Sequence, residues 1–106
     1  MATKKYLQLK IIKTKGKVVM RLNGYLDGGG ACQVEHELQQ LREKARGCKL
    51  IFDLGGVRNF EYFGIAIMAK SIRRQRTHFQ EVSLTGLHES NENVFRRFGL
   101  RNNTVF

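Results

Sequence analysis

Cys32 and His36 stand four residues apart, one turn of a helix, and a thiolate and an imidazole at that spacing are a pair that can grip a transition metal. The set stops at two: His78 and His88 lie far along the chain, no third donor is supplied, and no metal site is expected. Cys32 and Cys48 are too few for a disulfide framework and read as free thiols in a reducing compartment. Ser71, Ser83 and Ser90 fall at ordinary helix, strand and helix-cap positions. None has a base at a fixed spacing and no carboxylates are paired for acid–base work, so no catalytic residue is expected. Asp53 interrupts an apolar run. Such an acid either has a shifted proton affinity that serves chemistry, or ends a strand and is bonded to nearby amides. Gly28-Gly29-Gly30 has the look of a phosphate cradle. It follows the acid Asp27, however, lacks the Lys-Ser/Thr of a P-loop and misses the dinucleotide fingerprint. It reads as a flexible strand-to-helix connection, with nucleotide binding left open and no cofactor expected.

The chain has 19 Lys and Arg against 9 Asp and Glu, a net charge of +10, which favours an acidic partner: nucleic acid, an anionic membrane surface or an acidic protein. The basic residues are spread over several elements with no recognition-helix pairing, zinc spacing or aromatic RNA-binding motif, so contact with nucleic acid is expected to be nonspecific and salt-sensitive. Seven Lys and Arg and no acid fall between Met1 and Arg21, most of them alternating with apolar residues as on the wet face of a strand. No apolar run approaches the roughly 18 residues of a membrane span, and the polar, basic Met1–Lys5 does not begin a secretory signal, so a cytoplasmic protein is expected.

The elements that would position these residues follow from periodicity. Leu7, Leu9 and Ile11 alternate with polar neighbours over 6–13, and Val18, Met20 and Leu22 do so over 17–23, with Lys15-Gly16 as the turn of an antiparallel hairpin. Ala31, Val34, Leu38, Leu41 and Ala45 recur at spacings of three and four, an amphipathic helix closed by Gly47. The run at 50–54 reads as a central strand, 55–60 as its exit, 63–76 as a second helix and 81–85 as a further strand. Ser90 reads as the cap of a third helix that buries Val94, Phe95 and Phe98 and stops at Gly99; residues 104–106 begin a last strand. With no proline, repeat or linker, the whole of 1–106 is expected to form one α/β domain with a mixed sheet of four to five strands and three to four helices.

In this order the segments resemble the STAS family, named for sulfate transporters and anti-sigma-factor antagonists. Leu22-Asn23-Gly24-Tyr25-Leu26-Asp27 is similar to the element GxLD that ends the family's second strand, and Ile51-Phe52-Asp53-Leu54-Gly55-Gly56-Val57 to its third strand and exit. Phe60-Glu61-Tyr62-Phe63-Gly64-Ile65 falls where the family has an acid, a phosphorylatable Ser or Thr, a small residue, Gly and Leu; Phe95-Arg96-Arg97-Phe98-Gly99-Leu100 resembles its third helix and stop. The resemblance implies a STAS-like sandwich and a module that binds an anti-sigma factor or kinase, or another regulatory protein. In the family, phosphorylation of that Ser or Thr abolishes binding. Here Tyr62 stands at the acceptor position and Phe63 replaces the small residue, and a phenol sets its oxygen farther from the backbone than a seryl group, so the usual Ser/Thr switch is not expected. The chain also ends where the family's last strand runs on to a final helix, which is expected to be absent or reduced.

At 100° per residue the second helix carries Ile65, Met68, Ala69 and Ile72 as a core stripe and Phe63, Ile67, Lys70 and Arg74 as a continuous outer one. An outer stripe mixing apolar and basic side chains reads as a contact surface, or else packs on 55–60 or another part of the domain. With the family's docking positions the expected partner-binding set is Asp27, Glu61, Tyr62, Phe63, Gly64, Ile67, Lys70 and Arg74. The alternative is a basic scaffold or nonspecific nucleic-acid-binding domain.

Overall fold

Two alternating segments joined by the tight turn at Lys15-Gly16 can hide their apolar sides only by pairing and placing those sides on one face. In the computed structural model, which describes residues 6–106, they do so as β1 (Leu7–Thr14) and β2 (Lys17–Leu26), antiparallel with Ile11 opposite Met20. Met1–Lys5, whose basic character entered the reading above, lie outside the described residues. The chain continues through α1 (Gly28–Lys44), β3 (Lys49–Phe60), α2 (Tyr62–Arg74) with a 3-10 turn at Gln75–Thr77, β4 (Glu81–Thr85), α3 (Glu89–Arg96) and β5 (Thr104–Val105).

The sheet has the order β1-β2-β3-β4-β5, with β2, β3 and β4 mutually parallel and the outer strands antiparallel to their neighbours. Parallel neighbours joined by helices require right-handed crossovers, which put α1 and α2 on the same face. The burial pattern agrees. Met20 and Leu22 on β2, Phe52 and Leu54 on β3, and Leu84 on β4 are buried with Val34 and Leu38 of α1 and Ile65, Met68 and Ile72 of α2. Each such side chain contributes about 1.5–3 kcal/mol by leaving water. Gly47, at φ 80°, takes the left-handed conformation just past the end of α1, as its spacing predicted.

Several boundaries differ from the sequence reading. α1 begins at Gly28, so the three glycines are its first turn and not a flexible connection; the Asp27 carboxylate caps that turn by accepting the Gly30 amide at 2.7 Å. β2 and β3 run on to Leu26 and Phe60, past the expected ends at 23 and 54, because the two strands keep pairing through register shifts that bury Val57. α2 starts one residue early, at Tyr62, and its last turn tightens into the 3-10 turn. Ser90 lies inside α3, whose cap position is taken by His88 without a side-chain bond. The segment before α3 is held instead by Asn102, which accepts from the Leu87 amide at 2.7 Å and donates to the Leu87 carbonyl at 3.0 Å. Phe95 is buried as expected, whereas Val94 and Phe98 are half-buried. Among the described residues no helix is long and apolar enough to cross a membrane.

Candidate protein-binding site

The end of β2 and the start of α2 form one unit. The Glu61 amide donates to the Leu26 carbonyl at 2.8 Å, which ties the helix entry to the strand exit. Gly64 makes the approach possible: a Cβ there would meet Leu26 O and the Asp27 carbonyl carbon at 2.7 Å, backbone atoms that cannot step aside. The structure thus assigns Gly64 a packing role, and Asp27 the capping role described above. Glu61 sits at the cap position of α2 but makes no cap bond. The Tyr25 phenol, on β2, hydrogen-bonds the Glu61 carboxylate. That bond raises the phenol above its ordinary value; desolvation and the negative charges of Glu61 and Asp27 act in the same direction.

Tyr62 and Phe63 project from this unit, 58% and 70% exposed, the first with its ring edge toward Phe98 at 6.4 Å. Phe63 lies over Gly28, so the aromatic pair, the Asp27 turn and the tip of α1 are contiguous. The stripe expected from the helix wheel is not continuous. Ile67 is half-buried against the core beside Gly28, and the Arg74 guanidinium donates to Glu35 of α1 at 2.9 Å. The reason is that α1 runs alongside α2 and takes up much of this face. Lys70 remains exposed.

The other candidates are accounted for locally. The Asp53 carboxylate accepts from the Gly55 amide at 2.9 Å and pairs with Arg21 at 3.2 Å, so it is bonded to a nearby amide as expected but stands inside β3 and not at its end. Ser71 is buried and donates to Glu35 at 3.0 Å, while Ser83 is half-buried and Ser90 exposed. Cys32 is exposed, His36 shares a hydrogen bond with Gln40 at 3.1 Å, and no group of three or more potential ligands is placed for a metal among the described residues. Sequence reasoning missed two participants. Tyr25 lies inside the quoted strand-end element, where its place between Gly24 and Leu26 gave no hint of a bond to Glu61, and Phe98 was assigned wholly to the core.

The same fold recurs among solved structures. The anti-sigma factor antagonist SpoIIAA in its unphosphorylated form matches with a TM-score of 0.67 at 18% identity, over 92% of this chain and 88% of that one. SpoIIAA in its phosphorylated form, described as a Bacillus cell fate determinant, matches with a TM-score of 0.61 at 18% identity, over 92% of this chain and 91% of that one. The crystal structure of Mglu matches with a TM-score of 0.66 at 22% identity over 76% of this chain, which spans 20% of its length. Comparison with curated protein sequences found no match. At these identities the likeness is one of fold. The family is shown by the sequence model of the STAS domain, which matches residues 8–105. The chain belongs to the STAS domain family.

Proposed function

We propose that this chain is a regulatory protein-binding module of the anti-sigma-factor-antagonist kind, which docks its partner on the surface formed by the Asp27 turn and the start of α2. The observation that carries the reading is the exposure of two adjacent aromatic side chains, Tyr62 and Phe63, on a rigid helix start. Rings held in that way are costly to leave in water and supply much of the energy where partners meet. Asp27 and Glu61 on one side and Lys70 on the other frame the rings and set the orientation of the partner. The partner is an anti-sigma factor or kinase, or another regulatory protein. With Tyr62 at the acceptor position, binding is not switched by Ser/Thr phosphorylation. In this reading 1–106 is one non-catalytic domain that works in the cytoplasm without a cofactor.

The test is affinity capture with the full chain, then calorimetry with the regulatory protein recovered. Tyr62→Ala with Phe63→Ala is expected to weaken binding by about 30-fold or more, the factor for a hot spot of about 2 kcal/mol. Unchanged affinity would remove the proposed surface. Arg74→Glu is a poor probe, because it sets two carboxylates together at Glu35.

A further inference from the structure

The helices cover one face of the sheet, and the opposite face carries a pattern of its own. Ile12, Val19, Ile51, Ser83 and Val105 stand opposite one another in register, one from each strand in order across the sheet. None is buried, Val105 is 60% exposed, and none of the four aliphatic side chains joins the core beneath the helices. Four strand spacings make this apolar row about 19 Å long. Strands β2, β3 and β4 are parallel, and parallel strands are normally covered on both faces. A sheet face left to water would alternate to polar residues here, whereas Ile12, Val19 and Ile51 keep it aliphatic.

The charges beside the row specify what fits. The neighbouring row on one side contains Lys10, then Arg21, which Asp53 neutralises at 3.2 Å. On the other side are Lys17 and Lys49. Lys10, Lys17 and Lys49 are exposed and in no ion pair among the described residues; Glu81 of β4 stands opposite Lys49, whereas Lys10 and Lys17 face no acid in register, so an uncompensated cation stands about 7 Å to either side of the apolar row. A second copy would bring these same cations together. The row holds no aromatic ring on which a nucleic-acid base could stack. We infer that the open sheet face is a second docking surface, separate from the aromatic helix start, for a protein partner that presents an aliphatic patch edged by carboxylates.

The test places a photoreactive benzoylphenylalanine at Val19 of the full chain, irradiates the cells that make it, and maps the adducts by mass spectrometry. The expected result is attachment within an acidic, aliphatic segment of one other protein. Its yield should fall about tenfold or more with Lys10→Glu and Lys17→Glu, and persist with Phe63→Asp, which disrupts the other surface. Lys10→Gln with Lys17→Gln, which adds no new charge, should give an intermediate loss if the double reversal is unstable. An adduct to a second copy of this chain, to nucleic acid or to a segment without excess acid would overturn the inference, as would no adduct or a yield indifferent to the lysines.

Discussion

Replacing Glu35 by alanine should loosen the seam between α1 and α2 on which the proposed partner-binding surface stands. The Glu35 carboxylate, 16% exposed, accepts from Ser71 at 3.0 Å, Arg74 at 2.9 Å and Arg42 at 3.3 Å. Arg42 also donates to the buried Gln75 at 3.0 Å, and Gln75 donates to the Ser71 carbonyl at 2.7 Å, so one network joins both helices and the 3-10 turn. Without Glu35 the buried Ser71 hydroxyl has no acceptor, which costs about 1–2 kcal/mol. Arg42, 23% exposed, keeps Gln75 but loses its counter-charge, about 1 kcal/mol more. Arg74 is 58% exposed, and water screens its pair to a few tenths of a kcal/mol at most. The expected loss is about 2–3 kcal/mol, a fall in Tm of roughly 9–14 °C for a domain of this size. Thermal unfolding followed by circular dichroism measures it. Most of the difference should persist in 1 M salt, because the Ser71 bond is not screened, and Glu35→Gln should recover about half by keeping an acceptor for Ser71. A Glu35→Ala protein within about 0.5 kcal/mol of the wild type, as for an ordinary surface pair, would refute the reasoning, and so would a glutamine variant no better than alanine.

Alanine in place of a helical glycine usually stabilises by about 0.5–1 kcal/mol, but Gly64→Ala should destabilise by about 2 kcal/mol as its Cβ meets the Leu26–Asp27 backbone. A higher urea midpoint would show that α2 does not sit on that turn. In an ultraviolet titration, one of the three tyrosines should ionise above the usual range near 10, and Tyr25→Phe should remove that step. Because the folded phenol is raised above its unfolded value, its contribution to stability is complete below about pH 10 and is lost as pH rises through the folded value. Wild type should therefore lose ground to Tyr25→Phe in that alkaline window. A titration in which Tyr25→Phe removed no raised step would contradict the bond to Glu61.

The alternation of Leu7 to Ile11 and of Val18 to Leu22, and the three-and-four spacing from Ala31 to Ala45, determined two strands and a helix before any contact was known. Periodicity reports which side of one element must leave water, so the order of elements along the chain and the core stripes of each followed from it, and the motifs led to the family. Tertiary structure alone decided how far β3 extends, because Gly55 and Gly56 carry no strand signal: Gly56 is held by pairing with Asn23 of β2, and Gly55 sits at the register shift with its amide bonded to Asp53. It also decided the fate of the α2 stripe. Phe63, Ile67 and Arg74 are equivalent on an isolated helix, and only the neighbouring α1 leaves the first exposed, half-buries the second and pairs the third with Glu35. Glu35 and Ser71 are 36 residues apart, and the open row takes its residues from five separate strands. Such groupings depend on which elements become neighbours, and no local spacing within the chain encodes that.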